Sequence, residues 1–170
     1  MANKIKGLTV EIGGDTTKLG KALEDVNKKS TNLSGELREV NRLLKMDPGN
    51  ADLLAQKQKI LGEAVENTAK KLDTLKEAEK QVQKQFERGE VSEEQVRALK
   101  REIEATEQKM NGYKNAVKET ADEVENLGKR SQASADELND FANRGLATMG
   151  GLVTAATGAL VAAAEGTREY

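Results

Sequence analysis

An all-α fold of long heptad-repeat helices is what this sequence predicts, as a slender up-down helical bundle or an extended coiled coil. A short N-terminal strand precedes the helices, and a C-terminal Ala/Gly-rich hydrophobic helix follows them. Three observations carry this expectation. Apolar residues recur in alternating steps of four and three through most of the 170 residues, the spacing that keeps a narrow stripe turned toward a partner helix. Charged residues make up 33% of the chain, 27 basic against 29 acidic, which is long-helix composition. The aromatics are only Phe86, Tyr113, Phe141 and Tyr170, so few large side chains exist to fill a thick core.

The organisation expected is an N-terminal strand or arm over 1–15, three heptad helices within 16–130, and a capped helix over 131–170. At the start, Leu8, Val10 and Ile12 alternate with Thr9 and Glu11, which is strand period. Gly13-Gly14 closes the run, and Asp15 or Thr16 is placed to cap a helix. A lone strand leaves its backbone edges unmet. It therefore either pairs with another part of an assembly or another copy of the chain, or it stays a frayed arm.

The first helix, over 16–46, carries Leu19, Leu23, Val26, Ser30, Leu33, Leu37, Val40 and Leu44 in 4-3 spacing. Pro48 removes a donor and disfavours helix at Asp47, so the helix stops there. Asn50 caps a second helix over 51–87. Its seam is Leu54, Gln58, Leu61, Val65, Thr68, Leu72, Leu75, Glu79, Val82 and Phe86, with Gln58, Thr68 and Glu79 as polar positions that cost stability but fix register. Arg88-Gly89-Glu90 breaks that helix. Ser92 and Gln95 then form a capping box, with Val91 stapled on Val96.

The third helix, over 93–127, has the cleanest seam: Val96, Leu99, Ile103, Thr106, Met110, Tyr113, Val117, Thr120, Val124 and Leu127. Gly128 reads as a helix end or as a soft hinge, because the same phase continues through Ser131, Ser134, Leu138 and Phe141. Ser134 and Glu137 make another capping box. The connections at 47–49 and 88–91 are short, which favours antiparallel neighbours.

Composition also excludes chemistry. The chain has no cysteine and no histidine, so disulfides, thiolate or histidine metal sites and His-based acid–base catalysis are absent from the repertoire. A net charge of −2 gives no bulk field to hold nucleic acid. Gly14-Asp15-Thr16-Thr17-Lys18-Leu19-Gly20-Lys21-Ala22 is a near miss for a phosphate loop. Its first glycine is one residue early, and Ala22 stands where a magnesium-binding Ser or Thr belongs. The carboxylates lie on solvated helix faces among lysines. We therefore expect no enzyme, no cofactor and no metal.

Gly145 to Ala164 contains no charge. As a helix its twenty residues span ~30 Å, about a bilayer core. Ala147, Gly151, Ala155, Ala159 and Ala163 recur every four residues, and Gly150, Thr154, Gly158 and Ala162 form a second row beside them. Small residues at this spacing let helix backbones approach closely. The segment reads either as a close-packed helix or as a membrane-contacting one, and its Ala/Gly content makes lipid insertion marginal.

Several stretches together resemble a known family. Leu8-Thr9-Val10-Glu11-Ile12-Gly13-Gly14-Asp15 leads into a heptad helix. Leu44-Lys45-Met46-Asp47-Pro48-Gly49-Asn50-Ala51-Asp52-Leu53-Leu54-Ala55-Gln56-Lys57-Gln58 sharpens the match. The Phe86-Glu87-Arg88-Gly89-Glu90-Val91-Ser92 turn and the Ala/Gly-rich segment after a long coil extend it over essentially the whole chain. In these features the chain resembles the N-terminal region of tape-measure proteins of long-tailed bacteriophages, especially those of Gram-positive hosts.

The resemblance implies a structural protein in the virion, lying in the tail lumen after assembly in the host cytoplasm. It would set tail length, scaffold the tail tube and be ejected ahead of the DNA. The implied partners are other copies of itself, as a trimer or hexamer, together with tail-tube and tail-completion or tail-tip proteins. Transient host membrane contact through Gly145–Ala164 is also implied, sequence-specific nucleic-acid binding is not, and no catalytic residue is carried over. The chain then reads as the N-terminal piece of a longer protein. The alternative is a membrane-associated coiled-coil protein anchored by 145–164. On either reading the helix-packing and oligomer seam consists of Leu19, Leu23, Val26, Leu33, Leu37, Val40, Leu44, Leu61, Val65, Leu72, Leu75, Val82, Val96, Leu99, Ile103, Met110, Val117 and Val124.

Overall fold

The computed structural model of the chain describes residues 5–131. Its elements in order are β1 (Thr9–Ile12), β2 (Asp15–Lys18), α1 (Leu19–Ala22), α2 (Glu24–Met46), α3 (Ala51–Glu87) and α4 (Glu93–Ser131). The all-α expectation stands, with a two-stranded antiparallel sheet at the start. The 145–164 segment and the Ser134–Glu137 box lie outside the described residues.

The start of the chain differs from expectation. β1 does not wait for a partner chain, because it pairs with β2 in the register Thr9↔Lys18, Val10↔Thr17, Glu11↔Thr16 and Ile12↔Asp15. Gly13 and Gly14 have φ of 60° and 88°, the two successive positive values that a type I′ hairpin turn requires. Asp15 and Thr16 are thus strand residues and cap nothing. β-branched Thr16 and Thr17 suit a strand better than a first helical turn. Helix begins only at Leu19, three residues after the expected start at 16.

The later boundaries follow local chemistry. The Asn50 side-chain oxygen accepts from the Leu53 N–H at 3.0 Å, and its amide donates to Asp47 Oδ2 at 3.0 Å. One side chain therefore closes the Asp47–Asn50 turn and caps α3. At the far end of α3, Glu90 N–H reaches Gln85 O and Gly89 N–H reaches Phe86 O, both at 2.9 Å. With Gly89 at φ 73°, this is a Schellman stop. The Ser92–Gln95 capping box is reciprocal, with Ser92 N–H on Gln95 Oε1 at 2.9 Å and Gln95 N–H on Ser92 Oγ at 3.3 Å. α4 passes through Gly128 to Ser131, four residues beyond the end expected from the seam.

The described residues fall into two units. The first holds the residues up to Thr31 together with Glu66–Asn111. Its core joins Leu8 and Val10 of the hairpin, Leu19 and Leu23, Leu72, Leu75, Ala78 and Val82 of α3, and Leu99 and Ile103 of α4. The second holds Asn32–Val65 and the described residues from Gly112. There Leu33, Val40 and Leu44 of α2 meet Leu54, Ile60 and Ala64 of α3 and Val124 of α4, while Leu61 and Val65 pack with Val117. In this unit Lys57, earlier on α3 than Leu61, pairs with Glu123, later on α4 than Val117. The two helices are therefore antiparallel there.

Candidate functional site

The functional surface to be tested is the helix seam, and the two units place its residues as follows. Leu19, Leu23, Leu33, Val40, Leu44, Leu61, Val65, Leu72, Leu75, Val82, Leu99, Ile103, Val117 and Val124 are all buried by the chain's own elements. Val26, Leu37, Val96 and Met110 are half-buried. Ala147, Gly151, Ala155, Ala159 and Ala163 lie outside the described residues. Fully burying a Leu or Val is worth ~1.5–3 kcal/mol, so the fourteen buried positions are the main attraction between helices within a single copy.

The sequence reading missed a second stripe on α3. Ile60, Ala64, Asn67 and Ala78 are buried to 8% exposure or less, and Lys71 and Thr74 continue the 4-3 steps between them. Each residue of this row immediately precedes a seam residue. A helix with neighbours on two sides needs a broader buried face than a two-stranded coil does. At one position the expectation changes outright: Ala78, at 1% exposure, takes the buried place assigned to Glu79, which is only half-buried. Small and polar side chains hid this stripe, although its spacing was there to be read.

Polar groups in the seam are satisfied locally, with one exception. The hydroxyls of Thr106 and Thr120 donate to the carbonyls of Glu102 and Ala116, each at 2.7 Å. The buried Asn67 amide donates to Val26 O of α2 at 2.9 Å, and Lys109 Nζ donates to Ser30 Oγ at 3.0 Å. The last two bonds run from helix to helix at fixed positions, so sliding a helix by one heptad would break them. The exception is Gln58, 4% exposed, whose amide oxygen has no donor.

Charged pairs flank the apolar seam. Lys71 pairs with Glu102 where both side chains are more than two-thirds covered, and Lys76 pairs with Glu107 on a more open face. The Glu107 carboxylate raises the Lys76 pKa. Hydrogen bonds and charge from Arg42 and Lys70 hold the Glu39 and Glu66 carboxyls below the ordinary range. Apart from the covered Lys71–Glu102 pair, these are salt-sensitive surface effects.

A third arrangement, also unforeseen, concerns three glutamines that grip the N-terminal segment. In a two-residue hairpin, alternate residues of a strand point their backbone groups away from the partner strand. On β1 these are Thr9 and Glu11. Gln81 accepts from Glu11 N–H at 2.6 Å and donates to Glu11 O at 2.8 Å. Gln85 donates to Thr9 O at 2.9 Å. Gln95, beyond its capping role, donates to Lys6 O at 3.2 Å. At Gly7 the φ of 86° favours glycine, and a Cβ there would sit 2.9 Å from Gln95 Nε2, displacing that amide. Side-chain amides thus stand where a neighbouring strand would be.

Among the described residues no group of three or more His, Cys, Asp or Glu is placed to hold a metal ion. A groove of about 650 Å³ beside the Asp47–Asn50 turn is lined by Leu44, Pro48, Gly49, Leu54, Lys57 and Leu127, among others. Lys57 and Glu123 meet in it as an ion pair at 3.1 Å. No described helix is long and apolar enough to cross a membrane.

Long antiparallel helices with polar register bonds and a latched hairpin define a helical packing protein. Comparison with known proteins narrows the class. The chain is 46% identical over 50 residues to a "Tape measure protein" of Lactococcus phage F4-1, covering 29% of this chain and 14% of that relative. It is also 46% identical over 52 residues to a "Probable tape measure protein" of Lactococcus phage SK1, covering 31% of this chain and 5% of that one. The resemblance to tape-measure proteins is therefore borne out over about a third of the chain. The chain spans only a small part of the length of these curated relatives. No protein-family model and no solved structure matches it.

Proposed function

We propose that this chain is a structural component of a phage tail, acting within a tape-measure protein. The carrying observation is the 46% identity to two such proteins, and its helical architecture supports the same reading. In this proposal the protein lies in the tail lumen in several copies, contacts tail-tube and tail-completion or tail-tip proteins, sets tail length and leaves ahead of the DNA. It does no catalysis.

The antiparallel helices refine the division of labour. A helix rises ~1.5 Å per residue, but a chain that reverses at Asp47–Asn50 and again at Arg88–Val91 retraces that rise. The described helices then serve as folded units, and graduation of length belongs to heptad regions outside the described residues. The test is heptad deletion in the phage gene, read as tail length by electron microscopy. Removing 14 residues from a downstream heptad region should shorten tails by ~21 Å. Removing matched heptads from α3 and α4 should leave the length of assembled tails unchanged. Unchanged tails after the downstream deletion would overturn the ruler reading.

A further inference from the structure

We infer that the N-terminal strand is exchangeable between two copies of this chain, with Gly13-Gly14 as the hinge and Gln81, Gln85 and Gln95 as part of the seat. The inference stands apart from the tail reading, since it needs only two copies of the chain.

The seat reads its occupant in two ways. The four amide bonds that these glutamines make to the N-terminal segment all go to backbone atoms of Lys6, Thr9 and Glu11, and none goes to a side chain. Two alternate side chains, Leu8 and Val10, are 1% and 2% exposed in the apolar core beneath. An extended segment with apolar residues at those two places, and glycine at the position of Gly7, fills the seat in the same way. The segment shown to fit is the chain's own strand, and a second copy supplies the identical one.

Both ends of the device are built to open. The glutamine bonds are exposed, and a groove of about 570 Å³ lined by Thr9, Glu11, Gln81, Lys84, Gln85 and Arg88, among others, runs beside them. Water therefore competes for the latch. The hinge is two glycines, which adopt extended backbone as readily as the turn. Extending them joins β1 and β2 into one strand, and each β1 then lies against the β2 and the glutamines of the other copy. Every hydrogen bond and buried side chain of the closed form is remade in the exchanged pair, so concentration of copies decides between the two forms.

The hinge allows substitutions that push in opposite directions. A Cβ at Gly13 or Gly14 meets nothing within 4 Å, so only the positive φ opposes a side chain there. In the full chain, Gly13→Val with Gly14→Val should disfavour the turn and raise the dimer fraction in sedimentation velocity by at least about tenfold. Gly13→Asn, which creates the preferred type I′ pair with Gly14, should lower it. Adding Val10→Asp to the double valine variant should abolish the dimer. A double valine variant that keeps its helices and stays monomeric at all concentrations overturns the inference, as does a dimer indifferent to Val10→Asp. Should the double variant fail to fold, a labelled Ile5–Ile12 peptide decides. It should bind the full-length Val10→Asp chain saturably, and at least about tenfold more weakly once Gln81 and Gln85 are alanine. Absence of binding overturns the inference equally.

Discussion

Gln58 shows how much one side chain matters in a seam this narrow. Its amide oxygen is buried without a donor, and an unmet buried polar atom costs ~1–3 kcal/mol. Gln58→Leu should therefore stabilise the protein by ~1 kcal/mol, read as a higher urea midpoint with an unchanged m-value. A lower midpoint would mean that the amide carries a bond essential to the fold. Asn67 is the contrasting case, because its amide is spent on Val26 O. From sequence the two look alike, as polar residues in a heptad run. Whether a donor stands opposite is decided by another helix, so that difference was not legible. Gln95 teaches the same lesson: its capping role follows from Ser92 three residues before it, whereas its bond to Lys6 O spans 89 positions.

At the scale of the element, helix existence and the main seam were readable because both are local. Pro48, Asn50, Gly89 and the Ser92–Gln95 box act within one turn of themselves, and the structure ends and starts helices beside them. The hairpin was half legible. Alternation marks β1, but from sequence the Gly-Gly pair reads as a stop whereas it forms the turn, and Thr16, Thr17 and Lys18 of β2 fall within the expected first helix. Thr16 and Thr17 were the available signal. For α4, replacing Leu99, Ile103 and Met110 with lysine should cost more than ~4 kcal/mol and remove much of the helical circular dichroism. The first two are buried in the core with α3 and the hairpin, so the loss should not depend on protein concentration. Unchanged helicity would show that the seam is assigned to the wrong face.

For the whole molecule, pH offers a simple check. The chain has no histidine, so no side chain of ordinary pKa changes charge between about pH 6 and 8, and the melting temperature should be flat there. Glu39 and Glu66 have lowered folded pKa values. Their contribution is present above the ordinary glutamate value and is lost as pH falls through the lowered one. Lys76 is raised, so its contribution is present below the ordinary lysine value and is lost as pH rises through the raised one. These groups are exposed, and both shoulders should shrink in molar salt. A melting step between pH 6 and 8 would contradict this account.

What the sequence by itself determined is what the chain can settle over a few residues: long helices, their stops and caps, the phase of one apolar stripe, and the absence of cysteine and histidine chemistry. Its likeness to tape-measure proteins was also written there, in runs of residues that need no partner to be recognised. Only the tertiary structure decided that most of the stripe is buried within one copy, that α3 needs a second stripe, and that three glutamines on α3 and α4 receive the N-terminal strand. Each of these depends on what lies opposite a residue dozens of positions away, and heptad spacing states that a face must be covered without stating by what.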